Sequence, residues 1–409
     1  MPPSSPSEPD VQARAAALIA DPTANTAAAL ADALAASKSK EAAAAWDVTS
    51  TLARESGAFA LAVYAARALD GLDAARAKNL IGRIATLYGA GSARASDDLP
   101  PRPETPVPVP ADASGGDLAA VVKKALAAAT AKGDALAKAA AKVPSPAWAH
   151  AAPPDVLAAL IGKAKPLLKA EGEALLTMGE DATAIYLVAR GLLGAFRDDV
   201  ELGKLRAGAL VGEIALLAGT RRTATVRALE ASWLVELPAS ALEEAARKAP
   251  ALADALARAA RQRLLANVMR TSELFQRLKP EDQNTLMRRF RPTLSEDGAV
   301  LATEGVEGEA LHVVVSGEVA ITRGGALVAE ASAGDVLGEI SLLARKPATA
   351  TATARGRTVT LALDRAGFDD VAQRYPAVLA EVYRLASQRD AGQSQSISVV
   401  DIEHEEPAT

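Results

Sequence analysis

Gly212-Glu213-Ile214-Ala215-Leu216-Leu217-Ala218-Gly219-Thr220-Arg221-Arg222-Thr223-Ala224-Thr225-Val226 is the stretch on which the fold turns. After it, residues 226–237 read as β, with Val226, Ala228, Trp233, Val235 and Leu237 mostly at period two. Before it, 202–210 is a short β-like segment broken by Gly203 and Gly208. Between them, 213–217 makes a short helical turn entered through Gly212. Such a turn leaves its first backbone N–H groups without intrahelical partners and aimed outward, a seat for an anion. Arg222 follows just past the turn, where the loop can fold it back over that seat. A guanidinium grips a phosphate through two parallel hydrogen bonds. Glu213, an acceptor-only side chain at the mouth of the turn, suits a sugar hydroxyl. Taken alone, Glu213 and Arg222 read as a surface ion pair on a strand–turn–strand. Their place in the whole pattern argues for a ligand.

The order is Gly-Glu, a small residue two further on, Arg nine after the Glu, then Ala-Thr. It resembles the phosphate-binding cassette of cyclic nucleotide-binding domains, the β-rolls of catabolite activator proteins and protein kinase A regulatory subunits. The match lies on Gly212, Glu213, Ala215, Leu216, Arg222, Ala224, Thr225 and Val226. The resemblance implies that Glu213 holds the ribose 2′-hydroxyl, and that Arg222 and the amides of the turn hold the cyclic phosphate. The implied ligand set is Gly212, Glu213, Ile214, Ala215, Arg222, Thr223 and Ala224, with cAMP or cGMP as ligand and no metal. In the resembled family, cGMP-selective kinase domains place Thr or Ser after the arginine, and protein kinase A domains place Ala. A hydroxyl accepts from guanine's 2-amino group, a donor that adenine lacks. The catabolite activator branch nevertheless binds cAMP with a hydroxyl residue there. Thr223 therefore suits either ligand, and a composition rich in alanine and arginine tilts the expectation to cAMP.

A second copy follows. Gly338-Glu339-Ile340-Ser341-Leu342-Leu343 repeats 212–217 at an offset of 126 residues. The same offset relates Pro154 to Pro280, Pro166 to Pro292, Gly172 to Gly298, Gly179 to Gly305, Gly191 to Gly317, Gly208 to Gly334 and Pro250 to Pro376. Repeated Gly and Pro mark repeated backbone bends, so 152–262 recurs as 278–388 with no net gap. This is one domain folded twice rather than a short-period solenoid. The second copy departs at one place: Ala348 stands where the first has Arg222. Glu339 remains, and Gly338, Glu339, Ser341 and Thr349 form the doubtful second site. Arg345 or Lys346 could reach round in place of the arginine. The simpler expectation is that the second roll no longer binds nucleotide.

The fold class expected is an α+β multidomain protein, N-terminal helical hairpins followed by two tandem jelly-roll β-barrels with flanking helices. Residues 1–10 read as a disordered leader, 11–88 as a helical domain and 89–116 as a Pro-rich, semi-rigid spacer, mobile and open to proteases over 102–116. Residues 117–151 read as an exposed helix and linker, and 152–270 and 271–389 as the two rolls. Residues 390–409 read as a disordered tail. Helices are expected near 11–20, 25–37, 40–56, 58–70 and 73–88, with Gly57 and Gly71 at C′ positions. Trp46, Leu52, Phe59, Leu61, Val63, Tyr64, Leu69, Leu80, Ile84 and Leu87 are the expected core. On Trp46, Gly57, Ala60 and Tyr64 the helices resemble tetratricopeptide-like hairpins, although that family's register does not hold. The resemblance implies that the long helix after the first roll, running to about Met269, can swing over the ligand as a lid and sometimes pairs two subunits.

The chain has no cysteine, hence no disulfide framework and no thiol chemistry. Its formal charge of −5 gives no basic surface for nucleic acid. Residues 1–10 lack a basic, then apolar, signal pattern, and no apolar run suggests a membrane helix, so a cytoplasmic protein is expected. His150, His312 and His404 show no metal-ligand spacing, and His312, which aligns with Tyr186, reads as a packing residue. No Ser-His-Asp order, Walker loop or kinase signature occurs, so an enzyme is not expected. Arg288, Arg289 and Arg291 read as a solvated helix face, and the short tail leaves no room for a helix-turn-helix. The expected function is a cyclic nucleotide sensor or regulatory subunit, whose N-terminal helical domain relays ligand occupancy to a protein partner. The alternative is a ligand-free scaffold using both rolls as assembly modules. Ala348 favours it for the second roll; Glu213 and Arg222 oppose it for the first.

Overall fold

Alanine loses no side-chain entropy in a helix, and the first half of the chain is rich in it. The computed structural model describes residues 6–99, 117–197, 200–276, 279, 286–376 and 378–387. It opens with α1 (Glu8–Ala20), α2 (Ala24–Ala36), α3 (Ala42–Ser56), α4 (Phe59–Asp70) and α5 (Ala74–Tyr88), each packed on the next. Ser7 caps α1, Thr23 and Thr26 form a capping box on α2, and Asp73 caps α5. Gly57 ends α3 in the left-handed region at φ 88°, but Gly71 ends α4 with right-handed geometry at φ −71°. The leader expected over 1–10 is shortened, because α1 already begins at Glu8. Residues 1–5 lie outside the described residues.

The helix expected to be solvent-exposed is half-buried. In α6 (Leu118–Ala139), Val122, Ala125, Ala129 and Gly133 form a narrow stripe against α1 and α3, while Lys123, Lys124, Lys132 and Lys138 stay in solvent. The stripe is made of small residues, so it reads as polar while still packing closely. A Cβ on Gly133 would stand 3.2 Å from Thr51 Cγ2. The spacer expected over 89–116 also starts later. Within it, β1 (Ala95–Ser96) pairs in parallel with β2 (Val143–Pro144). The proline-rich part, 100–116, lies outside the described residues, as does the tail from 388.

After α7 (Ala147–His150) and α8 (Pro154–Gly162) comes the first roll. Its strands are β3 (Lys165–Lys169), β4 (Ala174–Leu176), β5 (Ala184–Arg190), β6 (Leu192–Arg197), β7 (Val200–Arg206), β8 (Leu210–Val211), β9 (Thr225–Ala228) and β10 (Ser232–Pro238). They form two four-stranded sheets, β3-β10-β5-β8 and β4-β9-β6-β7. Helix α9 (Glu213–Ala218) lies between β8 and β9 in the chain, and α10 (Ala239–Lys248) and α11 (Pro250–Thr271) follow.

The second roll repeats the first at the expected offset. After α12 (Glu273–Gln276) its strands are β11 (Arg291–Ser295), β12 (Val300–Ala302), β13 (Ala310–Arg323), β14 (Ala326–Ala331), β15 (Val336–Leu337) and β16 (Thr351–Asp364). The helices are α13 (Glu339–Ala344) and α14 (Arg365–Arg374). Strand β13 spans the counterparts of β5 and β6, and β16 those of β9 and β10, so the second roll is one continuous six-stranded sheet that bends where the first divides in two. The corner needs glycine. Gly191 and Gly317 have φ 98° and 89°, and a Cβ on either would lie 2.8 Å from the Cα of Ser232 or Thr358. Sequence patterning misses β3 and β11, whose side chains are largely exposed and which are held by backbone pairing to β10 and β16.

Two compact units result, Met1–Leu216 with Ala224–Ala259 and Leu217–Thr223 with Ala260–Thr409. In the first, the helical domain and the first roll share one apolar core. Leu234 faces the roll interior with Val226 and Ala228. Trp233, Val235 and Leu237 face the other way, into a cluster with Trp46, Leu61, Tyr64 and Leu69. The period-two set read from the sequence therefore changes face between Ala228 and Trp233. Tyr64 stacks on Trp233 at 5.2 Å, Trp46 meets Trp233 edge-on at 5.8 Å, and the Arg190 guanidinium lies 5.2 Å from the Trp233 ring. Arg67 Nε donates to Ala164 O at 2.8 Å across the same seam. Burial pushes the Asp32 carboxyl up, against the pull of Arg14 and Arg190. The expected separation of the helical domain from the first roll by a linker is thus corrected: they meet through a core. In the second unit Leu311, Val313 and Val315 pack with Phe275, Phe290, Phe368 and Val382, and Val314 faces the roll interior.

Two outcomes follow from this packing. Trp46→Ala should lower stability by about 3–5 kcal/mol. The helices and first roll should also unfold together, read by circular dichroism and tryptophan fluorescence in one denaturant series. Helices melting apart from the roll would contradict the shared core. His312 on β13 is half-buried, its Nδ1 3.4 Å from Thr360 Oγ1, and burial lowers its pKa. An unfolded imidazole takes up its proton at about pH 6.5. Below that pH the unfolded chain binds a proton that the folded chain does not. The stability of the second roll therefore falls with pH until the folded ring also protonates. His312→Tyr, the residue of the first copy, should reduce the loss between pH 7 and pH 5 in urea melts; equal losses would refute this.

Candidate functional site

The cassette of the first roll is built by a glycine, a short helix and a return strand. Strand β8 delivers the chain to Gly212, whose φ of 82° turns it into α9. Glu213 opens the helix and is 1 % exposed, so it is buried rather than at the mouth of the turn. Ile214 and Ala215 are buried beside it in the chain, at 9 % and 2 % exposure. Arg222, four residues beyond the end of α9, is 5 % exposed. Thr223 and Ala224 are half-buried, and Thr225 begins β9, its hydroxyl accepting from Met178 N at 3.1 Å.

A buried carboxylate and a buried guanidinium are costly unless satisfied by partners. Both Glu213 and Arg222 make polar or electrostatic contacts in the folded chain. Neither is the solvated surface pair that the residues in isolation allow. Leu217–Thr223 groups with the second compact unit and the rest of the cassette with the first.

In the second roll Gly338, at φ 84°, turns the chain into α13, and Glu339 is 2 % exposed. Ser341 is buried and committed to the loop: its hydroxyl accepts from Gly308 N at 2.8 Å and donates to Lys346 O at 2.6 Å. Ala348, in the place of Arg222, donates its N–H to Val306 O at 2.8 Å and accepts from Gly305 N at 2.9 Å. The loop after α13 is therefore laced to 304–308 by main chain and Ser341. Thr349 is exposed and apart from this lacing. Arg345 does not take over from the missing arginine: its side chain is 73 % exposed and pairs with Asp369 at 3.7 Å. Lys346 is exposed too. Sequence reasoning did not find the lacing; its only trace there is serine at 341 where the first copy has Ala215.

Among the described residues no group of three His, Cys, Asp or Glu side chains could hold a metal ion. No described helix is long and apolar enough to cross a membrane.

A family model described as the cyclic nucleotide-binding domain matches residues 169–249 and 294–375. The chain is 28% identical over 199 residues to a cAMP-dependent protein kinase regulatory subunit of Yarrowia lipolytica, covering 48% of this chain and 51% of that one. It is 29% identical over 204 residues to the cGMP-dependent protein kinase egl-4 of Caenorhabditis elegans, covering 48% of this chain and 25% of that one. The chain thus spans about half the length, or less, of these curated relatives. Among solved structures, the regulatory domain of Toxoplasma gondii PKA with cAMP is 22% identical, covering 58% of this chain and 89% of that one, with a TM-score of 0.29. Thermus thermophilus catabolite activator protein is 30% identical, covering 32% of this chain and 63% of that one, with a TM-score of 0.30. With the repeated cassette, strands and corner glycines already in place, residues 169–249 and 294–375 are two cyclic nucleotide-binding domains in tandem.

Proposed function

We propose that the chain is a non-catalytic sensor or regulatory subunit that binds one cyclic nucleotide, in the cassette of the first roll, and relays its occupancy to a protein partner. The observation that carries this is the contrast at one repeat position. Arg222 stands in the first cassette, and Ala348, at the same repeat position of the second, is hydrogen-bonded into a laced loop. In this reading Arg222 and the amides after Gly212 hold the cyclic phosphate, and Glu213 accepts from the ribose 2′-hydroxyl. Ile214, Ala215, Thr223 and Ala224 complete the wall. Gly338, Glu339, Ser341 and Thr349 hold no ligand, and the second roll is structural.

A ligand moves such a protein only by binding one conformation better than another. Helix α11 is the element suited to respond, because its start contributes Leu252, Ala255 and Leu256 to one core and its end contributes Val268 to another. The helical domain is suited to transmit, because its core continues into the first roll. Part of its surface is already covered by that roll, so a partner docks on its other faces. The descriptions of the relatives make a protein kinase catalytic chain the first partner to test.

Calorimetry of the whole chain with cAMP and with cGMP tests the proposal. One equivalent should bind, and Arg222→Ala should cost about 2–5 kcal/mol of binding. Glu213→Ala should cost less. Two equivalents, or binding that survives Arg222→Ala, would sink it; no binding of either nucleotide would favour the scaffold. cAMP should bind at least as tightly as cGMP. If Thr223 serves guanine, Thr223→Ala should weaken cGMP by about tenfold, the value of one matched hydrogen bond, and leave cAMP almost unchanged.

A further inference from the structure

The helical domain carries a charged site separate from both cassettes. An open pocket of about 1140 Å³ is lined by the end of α3, by α5 and by residues 90–94. Its charged lining is Arg54, Lys78, Arg83 and Arg94 against one carboxylate, Glu55. Arg54 and Glu55 are 2 % and 7 % exposed. Arg54 Nε and Nη2 lie 2.9 and 2.8 Å from Glu55 Oε1, and Arg94 Nη1 lies 2.9 Å from Oε2, an ion-pair contact that leaves this buried oxygen without a hydrogen bond. Two guanidinium groups thus share a single anion, and neither is satisfied by it. Arg54 Nη1 and Arg94 Nη2 are buried and find no acceptor among the described residues. Arg94 turns its Nε to Ala141 O at 3.2 Å, which holds the group in place.

Electrostatics points the same way. Burial and then the nearby Arg83 charge lower the Arg54 pKa, and its bonds to Glu55 only partly offset them. Lys78 and Arg83 add two exposed cations at the rim. Like charges held close around desolvated donors raise the energy of the empty site, and an anion with several acceptor oxygens removes that cost. A carboxylate brings one charge. A phosphoryl group brings nearly two, with three acceptor oxygens in a geometry that paired guanidinium forks match.

We propose that this pocket binds a small phosphorylated molecule, with Arg54 Nη1 and Arg94 Nη2 donating to its phosphoryl oxygens and Lys78 and Arg83 closing on it from the rim. The site is independent of the nucleotide cassette and stands whether or not that cassette binds. Inorganic pyrophosphate is the probe, titrated calorimetrically into the full chain in chloride buffer. Saturable binding is expected, with hydrogen–deuterium exchange protection across 78–94. Arg83→Ala and Lys78→Ala remove exposed side chains and spare the buried pair. Each should weaken binding by about tenfold, the scale of one charge-assisted hydrogen bond. Lys123→Ala and Lys124→Ala, on the solvent side of α6, remove the same charge elsewhere and should leave it unchanged. Absence of saturable binding would overturn the proposal. So would equal affinity in the rim variants, or protection confined to 212–226.

Discussion

The stacking of Tyr64 on Trp233, closed edge-on by Trp46, is the contact on which the first compact unit depends. It makes a sheet of the first roll apolar on both faces. Strands β5 and β10 send alternate side chains into the roll and into the helices, so both faces of these two strands are buried while the edge strand β3 stays largely exposed. An antiparallel sheet commonly keeps one face solvated; here the second face is where the helical domain ends and the roll begins. The second roll covers the corresponding face with helical segments near it in the chain, using Phe275, Phe290 and Phe368. One strand pattern is thus used twice with different coverings.

Much of this was legible because backbone bends leave a signature in residue type. Gly191 and Gly317 stand at the same corner because any Cβ there meets the neighbouring strand, so the repeat could be read from glycines and prolines alone. The five helices were legible from alanine-rich runs and their breaks. Which face a strand buries was not: Trp233 and Leu234 are both apolar, and period two cannot say which side belongs to the roll. Helix α6 was misread for a related reason, since a stripe of Val122, Ala125, Ala129 and Gly133 has too little apolar contrast to announce a buried side.

The cassettes divide in the same manner. The loss of Arg222 in the second copy is visible in the sequence because aligned repeats compare residue types directly. The bonds that lace 346–348 to 304–308 are mostly main-chain bonds, which every residue can make, so no residue type signals them. The cluster of Arg54, Glu55, Lys78, Arg83 and Arg94 is hidden for a different reason. Its members are spread over three segments, and only packing shows that four cations converge on one acid.

The short parallel pairing of Ala95–Ser96 with Val143–Pro144 has a further consequence. It pins both ends of the span that contains α6 at one place beside the helical domain. Helix α6 lies within that span and packs on α1 and α3, so the strand pair and the helix hold the same stretch of chain to the domain from two sides. A two-residue pairing thus works as a clasp: it fixes where α6 leaves and rejoins the helical domain without needing a long strand of its own.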